Sequence, residues 1–143
     1  MAESKAPVAA GLDTSVVLRL LVGEPKNQAD VALQYVRDLF AENQPAIVSD
    51  QVIAETYFAL HAHYGVPKRE SVRTLLQFVD SDLVALEGGG CAREVLVTMS
   101  ASTQKPGLVD RLIHAQYLKQ ADEVATFEKA LGKLEKVTVL RSN

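Results

Sequence analysis

The chain has 143 residues, of which 48% are hydrophobic and 23% are charged, and its formal net charge is −3. This length suits one domain with its own hydrophobic core, and the composition is ordinary for a globular protein. The charge excludes a protein-wide basic field for binding nucleic acid. The single cysteine, Cys91, excludes an intramolecular disulfide and a zinc site built from cysteines.

No segment has the character of a membrane span or a secretory signal. The apolar runs are all well short of the roughly 20 residues that cross a bilayer. The first apolar run follows a start that contains both acidic and basic residues, and it ends at Asp13, too early for a signal peptide. We therefore expect a cytoplasmic protein without membrane association.

Short apolar runs alternate with stretches whose apolar residues recur at helical spacing. Residues 1–6 predict a disordered tail, and we expect residues 7–143 to form one domain. The predicted elements are, in chain order, a strand at 8–12, a helix after Asp13 that stops near Gly23, a helix at 27–42, a strand at 46–48, a helix from Ser49 or Asp50 to about His63, a helix around 72–79, a strand at 83–86, helices at 91–102 and 108–120, a strand at 123–126, a short helix at 127–134 and a strand at 137–140. This alternation predicts an α/β domain whose parallel sheet is covered by helices on both faces.

Four acidic residues interrupt the apolar stretches, namely Asp13, Glu55, Asp110 and Glu128. A lone carboxylate in such surroundings is costly to desolvate, so we expect each to need a partner. Three of them lie near the starts of predicted helices, and the carboxyl edge of a parallel sheet is the usual ligand site in such folds. A hard divalent cation such as Mg²⁺ relieves the repulsion among grouped carboxylates. The pattern therefore favours a metal site for phosphate chemistry.

Each acid taken alone has an ordinary structural explanation. Asp13 can cap a helix, Asp110 and Glu128 suit first helical turns, and Glu55 could pair with an arginine or lysine. Other acid-pocket proteins are also open alternatives. A phosphatase would have a second aspartate where Ser15 stands, and a phosphorelay receiver would have adjacent acids early in the chain.

Four segments resemble the motifs of PIN-domain ribonucleases, and among these the VapC-type toxins of prokaryotic toxin–antitoxin pairs. The segments are GLDTSVVLRLL at 11–21, VSDQVIAE at 48–55, GLVDRLIHA at 107–115 and ATFEKAL at 125–131. They occur in the family's order and span most of the chain. The resemblance implies that residues 7–143 form a PIN-like three-layer α/β/α sandwich around a central parallel sheet.

Carried over by position, the resemblance implies that Asp13, Glu55 and Asp110 are catalytic acids that bind Mg²⁺ or Mn²⁺. Glu128 occupies the fourth acidic position, where the family usually has aspartate. Because Mg²⁺ requires tight octahedral geometry, the extra methylene could move this carboxylate, turn it toward a second ion or remove it from the site. Glu128 nevertheless belongs to the expected catalytic and metal-binding set.

The resemblance further implies endonucleolytic cleavage of RNA, a homodimer and neutralisation by a small antitoxin. Thr14 and Thr126 match small hydroxyl residues near the family's site. Arg19, Lys105 and Arg111 are the basic residues closest in sequence to the acidic motifs, which makes them candidates for binding RNA. The alternative is a PIN-like module that binds RNA or protein without cutting it.

The remaining features are interpreted as structural, with one exception. Residues 88–90 are three glycines that match no phosphate-binding motif and predict a flexible turn. Cys91 after them is expected to be a small packing residue. The apolar stretch 60–79 is the exception, because we expect part of it to form a dimer or antitoxin surface.

Overall fold

A computed structural model describes residues 10–142 of the chain. The predicted tail at 1–6 and the start of the first predicted strand lie outside these residues. The elements are α1 (Thr14–Val22), α2 (Lys26–Ala41), β1 (Ala46–Val48), α3 (Asp50–Ala62), α4 (Lys68–Val79), β2 (Val84–Leu86), α5 (Ala92–Ser100), α6 (Leu108–Tyr117), β3 (Val124–Thr126), a 3-10 helix (Lys129–Lys133) and β4 (Val137–Val139).

The strands pair in parallel, as the alternation of strands and helices predicts. β1 pairs with β2, and the segment 10–12 adds to the other edge of β1 through a bridge between Gly11 and Ile47. Ile47 donates its N–H to Ala10 O at 2.8 Å, and Leu12 donates to Ile47 O at 2.9 Å. β3 pairs with β4 as a second parallel pair. The α/β class is confirmed, and in residues 10–142 the ladders form two pairs rather than one continuous sheet.

The helix ends follow from local chemistry. Asp13 caps α1, because its Oδ1 accepts a hydrogen bond from Val16 N at 3.2 Å. Gly23, with φ of +78°, ends the same helix in the left-handed conformation that glycine adopts without strain. The Ser49 side chain caps α3, one of the two residues predicted for that position. None of the helices in residues 10–142 combines the length and the apolar character of a membrane span.

The buried residues of the core come from β1, β2 and all six α-helices. Helix α4 packs against both α3 and α5, and this contact buries its apolar face. Within 60–79, Leu60, Val72, Leu75 and Phe78 are buried in the core. These four residues hold α4 in the core and are not available to a partner, whereas Tyr64 is 44% exposed, so a partner surface on part of the stretch stays a prediction.

Candidate functional site

All four predicted acids are exposed. Asp13 caps α1, Glu55 lies in the second turn of α3, Asp110 lies in the first turn of α6, and Glu128 precedes the 3-10 helix. The expectation that apolar surroundings force each carboxylate to find a partner is wrong, because none of the four is buried. Helical geometry turns the apolar sequence neighbours toward the core while the acid stays in water, as Ile53 beside Glu55 illustrates.

The helices that carry three of the acids are direct neighbours. α3 packs against α1 and against α6, so Asp13, Glu55 and Asp110 belong to adjoining elements. Glu128 belongs to the unit of β3, β4 and the 3-10 helix. In residues 10–142, however, no group of three or more Asp, Glu, His or Cys side chains is arranged to hold a metal ion. The structure brings the carrier helices together but does not group the carboxylates around one ion position.

The Asp13 carboxylate is oriented by its own turn. Ser15 Oγ donates a hydrogen bond to Asp13 Oδ1 at 2.6 Å, and Val16 N donates to the same oxygen at 3.2 Å. The Ser15 hydrogen bond lowers the pKa of Asp13 below its usual value, and the backbone N–H of Val16 lowers it further. Asp13 is therefore an oriented anion at the surface.

The two threonines of the predicted site have different surroundings. Thr126 Oγ1 accepts a hydrogen bond from Glu128 N at 2.9 Å, which fixes the turn that follows β3. Thr14 is half-buried at the first position of α1. The Thr126 hydroxyl thus sets the backbone that presents Glu128.

None of the four acids belongs to an ion pair in the described part of the chain. The ion pairs there are Lys26–Asp30 and Arg93–Asp80. The alternative explanation of Glu55, a partner arginine or lysine, is therefore not met among residues 10–142. Carboxylate oxygens are the ligands that Mg²⁺ and Mn²⁺ prefer, so the chemistry of this unpaired donor set fits a hard divalent cation.

A family model of the PIN domain matches residues 11–137, a range that includes all four acids. The chain belongs to the PIN domain family. PIN domains are typically metal-dependent nucleases, and the helices and parallel strands described above are compatible with the family's three-layer sandwich. Comparisons with curated proteins and with solved structures gave no significant match.

The three predicted RNA-binding residues of this PIN domain differ in their availability. Arg111 is buried, and its Nε donates to Pro106 O at 2.7 Å. Burial lowers the pKa of its guanidinium. Arg111 therefore holds the loop before α6 instead of facing solvent, contrary to its selection as an RNA-binding candidate. Lys105 is exposed in that loop, and Arg19 donates from Nε to Gln28 Oε1 at 2.6 Å.

Asp50 is the buried carboxylate among residues 10–142. The sequence predicts for it no role beyond the start of a helix. Asp50 is only 7% exposed. Its Oδ2 accepts from Cys91 N at 2.7 Å and from Gln116 Nε2 at 3.0 Å, and its Oδ1 accepts from Ala92 N at 3.0 Å. Asp50 thereby joins the starts of α3 and α5 to α6.

Residues 88–90 serve this junction and are not merely a flexible turn. A Cβ on Gly90 would lie 2.9 Å from Asp50 Oδ1 and 3.0 Å from Glu87 O, so only glycine fits there without displacement. Lys119 Nζ donates to Gly89 O, tying the loop to the segment after α6. Three glycines before a helix could have indicated this contact, because a glycine lets the backbone approach a side chain closely.

Proposed function

We propose that this PIN domain is a Mg²⁺- or Mn²⁺-dependent endoribonuclease that uses Asp13, Glu55, Asp110 and Glu128. The observation that carries the proposal is the presence of four exposed acids at the family's motif positions, none in an ion pair in residues 10–142. Three of them belong to adjoining helices. Anions that lie on neighbouring elements without a cationic side chain are suited to bind a divalent cation.

Each acid has a definable part in this proposal. Asp13 is held by Ser15 and Val16 in the ionised form that a metal ligand needs. Glu55 and Asp110 extend into solvent from α3 and α6, and the turn set by Thr126 presents Glu128. When bound, the cation would supply positive charge against the scissile phosphate and make a nearby water more acidic.

We further propose that the protein is a cytoplasmic VapC-type toxin that dimerises and is neutralised by a small antitoxin. The order of the four sequence motifs supports this subtype. A partner surface is supported by α6, where Val109, Ile113 and Tyr117 are exposed at intervals of four residues. Such spacing forms one apolar stripe on the helix. Sedimentation of the wild type and of Ile113→Asp tests the dimer, and a monomeric wild type would contradict it.

Cleavage of a labelled single-stranded RNA in the presence of Mn²⁺ tests the nuclease activity. We expect cleavage by the wild type, its loss in EDTA, and a fall of more than about 100-fold in an Asp13→Asn, Asp110→Asn double variant, since even residues that only support a ligand can change activity by that factor. Glu70→Gln is the matched control, because Glu70 is likewise an exposed acid in a first helical turn. Undiminished cleavage by the double variant would refute the proposal.

A second candidate, a non-catalytic PIN module that binds RNA or protein, is favoured by one observation. In residues 10–142 no three metal-binding side chains are arranged around an ion position. Calorimetric titration with Mn²⁺ separates the two candidates. Saturable binding that the double variant loses supports the nuclease, whereas heats equal to those of buffer support the binding module.

A further inference from the structure

A groove of about 440 Å³ lies between α1 and α2. Ser15 is one of its lining residues, and the Ser15 hydroxyl donates a hydrogen bond to Asp13 Oδ1 at 2.6 Å. The volume lies in the range of sites for small ligands. The lining of the groove therefore includes a direct hydrogen-bond partner of the candidate catalytic acid.

The α2 side of the groove has a polar part, Asn27 and Gln28, and an apolar part with one aromatic ring, Val31, Ala32 and Tyr35. Val31 and Tyr35 line it four residues apart and are 71% and 49% exposed. Val16 and Ala32 also line the groove. An exposed aromatic ring beside an apolar floor is the kind of surface on which proteins stack the bases of single-stranded nucleic acid.

The α1 side of the groove supplies a cation. Arg19 lies four residues after Ser15, so both face the groove from one side of the helix. The bond from Arg19 Nε to Gln28 Oε1 orients the guanidinium and leaves its terminal nitrogens to donate elsewhere. Arg19 belongs to none of the ion pairs in the described part of the chain. A planar cation in this position suits a phosphate.

We infer that the α1–α2 groove binds one nucleotide of single-stranded RNA beside the cleaved phosphate. The base stacks on Tyr35, and a flanking phosphate pairs with Arg19. This inference rests on the proposed function for its substrate class. A hydrophobic peptide would cover Val31 and Tyr35 as well, but it would leave the charge of Arg19 uncompensated.

Binding of a fluorescein-labelled oligoadenylate, measured by anisotropy in EDTA, tests the role of Tyr35 without cleavage. We expect Tyr35→Ala to raise Kd about tenfold, the loss typical of one stacked base, and Tyr35→Phe to stay near the wild type. Phe40→Ala is the matched control, because Phe40 is an aromatic of the same helix with 46% exposure outside the groove. Equal Kd values for Tyr35→Ala and Phe40→Ala would overturn the inference.

The salt dependence of the same binding tests Arg19. If Arg19 pairs with a phosphate, Arg19→Gln weakens binding and reduces the slope of log K against log salt by about 0.7, the value for one single-strand contact. Arg37→Gln, at an exposed arginine of α2 outside the groove, and Tyr35→Ala keep the wild-type slope. An unchanged slope in Arg19→Gln would overturn the phosphate contact.

Cleavage with Mn²⁺ separates this inference from the proposed function. If the variants show these binding losses but the wild type does not cut RNA, the nuclease is refuted and the groove assignment stands. A wild type that cuts RNA with a KM that Tyr35→Ala does not change would refute the groove assignment alone. If Tyr35→Ala alters sedimentation but not RNA binding, the groove is an interface between copies of the chain, and the inference is wrong.

Discussion

Two sets of carboxylates in this PIN domain have opposite environments. Asp50 is buried and accepts hydrogen bonds from three N–H donors. Asp13, Glu55, Asp110 and Glu128 are exposed and belong to no ion pair in residues 10–142. The oxygens of the buried carboxylate are occupied by hydrogen bonds within the fold, whereas the exposed carboxylates can bind a ligand from solvent. In residues 10–142 the four candidate metal ligands therefore share exposure and the lack of a cationic partner, rather than burial.

The two sets are nonetheless connected through helices. Asp50 begins α3, which carries Glu55, and its partner Gln116 lies on α6, which carries Asp110. At about 1.5 Å of rise per residue, Glu55 lies roughly 7.5 Å along its helix from Asp50, and Asp110 roughly 9 Å along its helix from Gln116. The buried junction thus sets how α3 and α6 sit against each other close to the exposed acids.

The largest expected effect comes from removing the buried carboxylate. Asp50→Ala leaves the N–H groups of Cys91 and Ala92 without their acceptor, so we expect a loss of about 3 kcal/mol or more in the free energy of unfolding. Asp110→Ala, which removes an exposed acid, should change stability by less than about 0.5 kcal/mol. Urea unfolding followed by circular dichroism measures both. Similar losses in the two variants would erase the distinction between the two sets.

The exposed acids should contribute to stability only when a cation binds them. A ligand that binds only the folded state at about 100 times its Kd stabilises by about 2.7 kcal/mol. We expect Mn²⁺ to raise the Tm of the wild type and of Glu70→Gln, but not that of the Asp13→Asn, Asp110→Asn variant. An equal rise in Tm in all three proteins would mean that Mn²⁺ binds at a site that does not include Asp13 and Asp110.

The contact between Asp50 and the glycine loop predicts a smaller and position-specific effect. Gly90→Ala forces its Cβ to within 2.9 Å of Asp50 Oδ1, and overpacking of this kind costs about 2 kcal/mol. Gly88→Ala is the matched control, because a Cβ there meets nothing within 4 Å. Thermal unfolding distinguishes the two variants. Equal Tm values would show that the loop moves away from Asp50 at no cost.

Local patterns were enough to predict most elements of the fold but not the Asp50 junction. The helix predicted from Ser49 or Asp50 to about His63 spans Asp50–Ala62, because capping and apolar periodicity are local signals. Asp50 instead bonds to groups 41, 42 and 66 residues away, and such pairing is invisible to a local pattern. The short helix predicted at 127–134 is a 3-10 turn at Lys129–Lys133.

The acidic positions of the candidate site were predictable, but their environments were not. Apolar sequence neighbours indicated burial for Glu55, yet in a helix those neighbours point to another face. Arg111 is the reverse case, since a charged residue beside an acidic motif packs into the fold and bonds to Pro106. Side-chain direction within a helix, which the spacing of one segment only partly fixes, decides both cases.

The smallest expected effect concerns Asp13, which among the four candidate acids is the one that accepts hydrogen bonds from its own turn in residues 10–142. Ser15→Ala removes the main cause of the lowered pKa of Asp13 and should raise that pKa toward its usual value, while the bond from Val16 N persists. A carboxyl whose pKa is lower in the folded state stabilises that state above the unfolded pKa, and this contribution is lost as pH falls through the folded pKa. In the variant this contribution is therefore smaller at neutral pH, and its loss on acidification is complete at a higher pH. A carbon-13 NMR titration of the Asp13 carboxyl measures the shift.

Ser100→Ala serves as the control, because that hydroxyl bonds to Val97 O and not to a carboxylate. An Asp13 pKa that Ser15→Ala leaves unchanged would mean that the backbone alone orients this acid.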